Sequence, residues 1–184
     1  NIVGDVKKFG AGSLYLDGVD AYVYANSADS FEFGSGDFTV EWQEFRFNAS
    51  SGYSVIRRSA AGGFVPWEFG KSDGVNSLIY ISSNGSSWDI ANGRSLGAIQ
   101  LNTWAHYAVS RVGNNFYASQ NGVITDTWTS SASILASTAD IIIGGAGSCI
   151  AACIDEMRII KGLGKYSGSF DPPTEPFFLS GLFY

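Results

Sequence analysis

This chain is cut into short pieces. Turn segments rich in Gly, Asn and Asp recur roughly every 8–12 residues, with brief alternating apolar runs between them and no useful helical period. A chain interrupted this often cannot build long helices. It must fold back repeatedly as antiparallel strands in a sandwich or barrel. Its 23 glycines supply the turns. Asn121-Gly122, between runs at 116–120 and 123–128, is the strongest two-residue hairpin signal. Asp17-Gly18-Val19-Asp20 reads as a four-residue hairpin turn between 13–16 and 21–24. Phe38, Val40 and Trp42 alternate on one face, whereas Phe45 and Phe47 take the opposite parity. That switch predicts a β-bulge near Gln43 and Glu44, or a swap of faces. Further strands are predicted at 54–58, 64–69, 77–82, 87–91, 104–111, 140–143 and 153–160, and residues 27–31 suit one helical turn capped by Ser27.

Composition narrows what such a sandwich can do. With 184 residues, 45% of them hydrophobic, the chain can bury a single core, and no fixed-period repeat marks a second domain. Residues 1–176 form the expected domain. Prolines at 172, 173 and 176 favour an extended tail over a central strand, and the apolar segment 177–184 is expected to dock on this domain or a partner. A net charge of −6 argues against nucleic acid or an anionic membrane as partner. No apolar run is long enough for a membrane-inserted helix. One histidine, His106, excludes a multi-His zinc site and leaves a catalytic triad only that residue. The sequence begins at Asn1 with no visible leader, so a mature product or a fragment is expected. Cys149 and Cys153 would be roughly 13 Å apart on one extended strand, too far for a disulfide. Reduced, structural thiols are therefore expected unless the chain reverses at 150–152.

Five local patterns, taken in order, resemble the concanavalin A-like lectin/glucanase superfamily in its laminin-G-like branch. They are Ser13 through Val23, Gly36-Asp37-Phe38-Thr39-Val40-Glu41-Trp42, Trp104-Ala105-His106-Tyr107-Ala108-Val109-Ser110-Arg111 with the Asn121-Gly122 hairpin, Ile154-Asp155-Glu156-Met157-Arg158-Ile159, and a tail of Lys161-Gly162, Tyr166, Phe170, Pro172 and Pro173. The tail is similar to one met in bacteriophage tail and capsid-surface proteins, with Lys165 in place of the usual Arg. The resemblance covers residues 9–177. It implies an all-β jelly-roll sandwich of two antiparallel sheets, one concave and one convex. Fold alone does not settle activity.

Three chemistries remain to be weighed. Retaining glycosidases need two carboxylates roughly 5–5.5 Å apart, and the superfamily's glucanases carry them as E-x-D-x-x-E. Glu41-Trp42-Gln43-Glu44 lacks the middle acid, so Glu41 and Glu44 would need a bulge to share a face, and no catalytic residue is expected. As a structural residue, Glu41 would pair with Arg158 or Arg111. No cofactor is expected. Asp17, Asp20 and Asp155 are candidates for a structural calcium, and Asp-Gly turn chemistry is the favoured reading of Asp17 and Asp20. His106 reads as a packing histidine, and Trp42 and Trp104 as core. Aromatic and polar residues near the mid-chain turns suit sugar recognition: Tyr53, Arg57, Arg58, Trp67, Trp88, Asn92 and Arg94. Trp128 also lies near a turn, and the same aromatics equally suit a second face of the core. The preferred expectation is a non-catalytic carbohydrate-binding or adhesion module on a virion or other extracellular surface, with homo-oligomers allowed. A structural virion protein acting through protein contacts is the alternative, and a glycoside hydrolase the third.

Overall fold

A computed structural model describes residues 1–26, 31–52, 54–59, 63–145 and 150–177. Its strands are β1 (Ile2–Val3), β2 (Ser13–Asp17), β3 (Tyr22–Ala25), β4 (Phe38–Arg46), β5 (Ile56–Arg58), β6 (Trp67–Ser72), β7 (Asn76–Ile81), β8 (Ala91–Ala98), β9 (Trp104–Val112), β10 (Asn115–Gln120), β11 (Val123–Thr129), β12 (Ile141–Gly144) and β13 (Ala151–Lys161). They form two antiparallel sheets, of order β1-β2-β13-β4-β9-β10-β11 and β3-β12-β5-β6-β7-β8. This is an antiparallel sandwich, as the turn spacing predicts, in the jelly-roll form that the family resemblance implies.

Strand alternation builds the core between the sheets. Phe38, Val40 and Trp42 of β4 face Phe69 of β6 and Ile79 and Ile81 of β7, all fully buried. Phe38 stacks on Phe33 at 4.2 Å between centroids, and Trp42 lies 5.7 Å from the ring of Tyr107. Removing surface of this kind from water is the main stabilising term, roughly 25 cal/mol per Å².

Three local expectations are corrected. Residues 13–17 and 22–25 do not form a hairpin, because β2 pairs with β1 and β13 while β3 pairs with β12 in the other sheet. The Asp17–Asp20 turn instead carries the chain from one sheet to the other. No bulge interrupts β4, whose register with β9 runs unbroken from Phe38↔Arg111 to Phe45↔Trp104. The irregularity lies on the neighbouring strand, where Glu156 of β13 has φ 48° and the register slips between Asp155 and Arg158. The strand predicted at 87–91 begins only at Ala91, so Asn92-Gly93 falls inside β8 beside a register shift. The proposed helical turn lies outside the described residues except for Phe31. Cys153 is a free, buried thiol, and Cys149 lies outside the described residues.

The outer face of the seven-stranded sheet is covered by the chain's own tail. Residues 162–177 cross it without strand structure, as the prolines require. Thr39 Oγ1 of β4 donates to the Leu163 carbonyl at 3.0 Å and accepts from the Lys165 amide at 2.8 Å. The Phe170 amide donates to the Gly122 carbonyl at 2.9 Å. Asn121 and Gly122 both have positive φ (49° and 77°), as a tight hairpin between β10 and β11 needs. A Cβ on Gly122 would also collide with the Phe170 carbonyl. Gly122→Ala is therefore expected to cost about 2 kcal/mol or more, from the left-handed backbone and the displaced tail together. Thermal denaturation alongside limited proteolysis within 162–177 checks both effects.

Candidate functional site

Glu41 is the most heavily coordinated carboxylate in the described structure. It points from β4 to the outer side, opposite Val40 and Trp42, and is fully buried beneath the tail. Arg158 of β13 donates to its Oε1 from Nε (3.0 Å) and Nη2 (2.6 Å). Tyr166 Oη donates to Oε2 at 2.8 Å, and His106 Nε2 of β9 lies 3.1 Å from that oxygen. Lys165 Nζ stands 4.0 Å from Oε1. Burial pushes the carboxyl pKa up, but the hydrogen bonds from His106, Arg158 and Tyr166, with the Arg158 charge, outweigh it and hold it below the usual range. Tyr166 stacks on Phe170 at 3.6 Å, and both rings meet His106 edge-on. Three strands and the tail thus converge on one carboxylate.

This cluster resembles a catalytic constellation in residue type but is built as a latch. Every oxygen of Glu41 is occupied, and Tyr166, itself buried, closes it from solvent. The Tyr166 hydroxyl is raised in pKa by burial and by the adjacent Glu41 charge, so it stays protonated and keeps donating. Glu44 lies on the other face of β4, accepting from Trp42 Nε1 at 3.0 Å and paired with Arg46. Carboxylates on opposite sides of one sheet cannot flank a single glycosidic bond. Of the two partners foreseen for Glu41, Arg158 is the one it meets. Arg111 donates instead to the carbonyls of Gly34, Ser130 and Ala132.

The acidic turn residues serve the backbone. Asp17 Oδ1 accepts from the amides of Val19, Asp20 and Ala21 at 2.9–3.2 Å. Asp155 accepts from the amides of Lys8 and Phe9, which ties the N-terminal segment to β13. Among the described residues no three His, Cys, Asp or Glu side chains gather as a metal site.

The seven residues singled out for sugar contact scatter in the structure. Trp67 (1% exposed) and Arg58 (1%) face the interior, where Trp67 stacks between Phe33 and Phe69 and Arg58 pairs with Glu32 at 2.8 Å. Arg94 straps β8 to β11 through Asp126 at 2.6 Å and the Thr127 carbonyl at 2.7 Å, with its guanidinium 5.2 Å over Trp128. Tyr53 lies outside the described residues. Arg57, Trp88 and Asn92 share one face, with Arg57 and Asn92 three strands apart.

That face is the outer one of the six-stranded sheet. Cross-strand pairing sets Ile142, Arg57, Glu68, Tyr80 and Asn92 in one row across β12, β5, β6, β7 and β8. Trp88, from the loop between β7 and β8, packs 5.2 Å from Tyr80 and 5.2 Å from Phe64. That loop is pinned by Asp89, which accepts from the Ser83 amide at 2.8 Å and from its hydroxyl. Lys71 Nζ lies 5.4 Å over the Tyr80 ring and pairs with Glu68 at 3.1 Å. The result is a half-buried aromatic surface bordered by a cation, a carboxylate and an amide. Tyr80, Phe64, Lys71 and Glu68 were missed by the sequence reading. The alternation of Tyr80 against buried Ile79 and Ile81 is the signal that places it outside. Trp104, expected in the core, is half-buried on the other sheet's outer face, 5.7 Å from Phe45.

A family model described as Concanavalin A-like lectin/glucanases superfamily matches residues 9–163. The chain belongs to that superfamily. The match ends before most of the tail that closes the latch. A search of curated protein sequences finds no significant match. Among solved structures, this concanavalin A-like chain is similar to domain 4 of AbnA, a GH43 extracellular arabinanase from Geobacillus stearothermophilus, solved in complex with arabinotriose (TM-score 0.69, 15% identity, 90% of this chain and 77% of that one). It is also similar to the binding domain of the botulinum neurotoxin serotype G (TM-score 0.67, 13% identity, 89% and 42%). A third is the Trypanosoma rangeli sialidase in complex with sialic acid (TM-score 0.61, 10% identity, 83% and 26%). The chain spans less than half the length of the last two. At these identities the likeness establishes the concanavalin A-like fold, which occurs both in binding domains and within enzymes.

Proposed function

We propose that this chain is a non-catalytic carbohydrate-binding module, working at an extracellular or particle surface through the outer face of its six-stranded sheet. One observation carries the reading: Trp88, Tyr80 and Phe64 form a solvent-facing aromatic cluster with Arg57, Lys71, Glu68 and Asn92 around it. An aromatic ring offers a flat apolar face to a sugar ring at low rotamer entropy, while the flanking groups hydrogen-bond its hydroxyls. The arabinotriose complex of a similar domain supports the ligand class. The placement of Glu41 and Glu44 on opposite faces supports binding without hydrolysis. The acidic charge disfavours nucleic acid as partner. A glycan array probed with the purified chain tests the proposal. Binding to a subset of glycans is expected, and a folded chain that binds none overturns it.

A second reading makes the chain a structural virion subunit, in line with the phage-like tail. It is favoured by Phe177, whose ring lies 3.7 Å from the Arg158 guanidinium and whose amide donates to Glu156, which fixes the start of the apolar C-terminal segment beside the latch. Removing 178–184 should then abolish assembly with a partner subunit without affecting thermal stability. Unchanged assembly overturns this reading.

A further inference from the structure

The outer face of the seven-stranded sheet carries a second recess, away from the aromatic cluster of the six-stranded sheet. Its volume is about 430 Å³, and its floor is Gln43 of β4 with Trp104 and His106 of β9. Lys8 and Phe9, held by Asp155, form one wall, and Pro172, Pro173 and Thr174 of the tail form another. Asn121 borders it, its Oδ1 accepting from the His106 amide at 2.8 Å.

This floor carries a carboxamide, and a buried ring nitrogen that lacks a protein partner. Gln43 is 2% exposed and lines the recess. His106 is 1% exposed, with Nε2 engaged by Glu41 and Nδ1 unpartnered. An unpaired buried polar group is costly unless water or a ligand completes it. Here His106, whose Nδ1 is the unpaired atom, and the Gln43 carboxamide border a space large enough to hold one. Beside it Trp104 supplies a half-buried indole. An indole next to a donor–acceptor carboxamide matches a sugar ring, which has an apolar C–H face and hydroxyls that both donate and accept. Lys8 is the one charged side chain of the lining, and the chain as a whole is anionic, so a neutral sugar fits better than an acidic one.

We propose that this recess is a second, independent carbohydrate site that takes one neutral glycosyl residue, stacked on Trp104 and hydrogen-bonded to Gln43. The latch shapes it, because the tail that Glu41 holds down forms one wall. The recess and the Trp88 cluster lie on different sheets and share no residue, so either site can fail alone.

The test is an NMR titration of the full chain carrying Trp88→Ala, using methyl glycosides of glucose, galactose, mannose, N-acetylglucosamine and arabinose, with methyl glucuronide as the charged probe. At least one neutral glycoside is expected to shift the Trp104 indole and Gln43 side-chain amide signals below about 10 mM, the weak affinity typical of a single ring. Gln43→Leu, added to that background with its spectrum otherwise preserved, should weaken the binding at least tenfold, and Trp104→Leu likewise. No shift with any neutral glycoside overturns the proposal. So does a response to methyl glucuronide alone, or binding that survives both substitutions.

Discussion

Glu41→Ala is expected to destabilise the fold by about 3 kcal/mol and to free the tail from the seven-stranded sheet. Removing one member of a buried, hydrogen-bonded charge cluster costs about 3–5 kcal/mol, because its partners stay behind unpaired. Here those partners are Arg158, Tyr166 and His106, and Arg158 is partly exposed, so the low end applies. For a domain of this size the loss corresponds to roughly 6–12 °C in Tm. Glu41→Gln keeps the shape but loses the charge, and should cost less, about 1–2 kcal/mol. The pH dependence has a fixed sign. The folded-state pKa of Glu41 lies below its ordinary value of 4.5, so its stabilisation is fully present above that pH. It is lost as the pH falls through the lower folded value. The stability gap between the natural chain and Glu41→Gln should therefore narrow only in acid, below about pH 4.5. Urea denaturation across pH 2–7, with proteolysis of residues 162–177 as the local readout, checks both parts. A Glu41→Ala chain with unchanged Tm and a protected tail would show that the cluster holds nothing together.

This latch explains why fold and function were unequally legible in the sequence. The residues that carried the family resemblance (Glu41, His106, Arg158, Tyr166 and Phe170) meet at one point beneath the tail. They describe how the sandwich is closed, which is why they predicted its architecture well and its ligand poorly. Strand parity was readable wherever the core fixed it, as at Phe38, Val40 and Trp42. It misled where a sheet's outer face is itself covered. Trp104 looks like core because its strand is buried on both sides, yet it borders a recess under the tail. Of the two readings of the parity switch near Gln43, the swap of faces holds in β4 and the bulge lies one strand away, at Glu156, because parity in one strand cannot reveal which neighbour absorbs a slip. The β2–β3 turn was read as a hairpin since local chemistry is the same whether a turn joins paired strands or crosses between sheets. Trp67 and Trp88 were indistinguishable by type. Only the pairing of Trp67 with Ile81 puts it inside, and only the packing of Trp88 on Tyr80 puts it outside.

The Trp88 indole is expected to contribute most of the sugar affinity. A central aromatic residue in a binding surface typically contributes about 2 kcal/mol or more, roughly thirtyfold in affinity. Trp88 sits between Tyr80 and Phe64 and is not part of the core cluster, so Trp88→Ala should leave Tm within a few degrees of the natural chain. Tyr80→Ala should also weaken binding, but with a stability cost, since Tyr80 lies in the middle of β7 with Lys71 over its ring. Calorimetric titration of the natural chain and of Trp88→Ala, each with arabinotriose and sialyllactose, is the most direct measurement. The account predicts saturable binding of at least one of these sugars, with no product formed, and a loss of roughly thirtyfold or more in the variant. Equal affinity of the two chains for a sugar that both bind, or cleavage of that sugar, would contradict it.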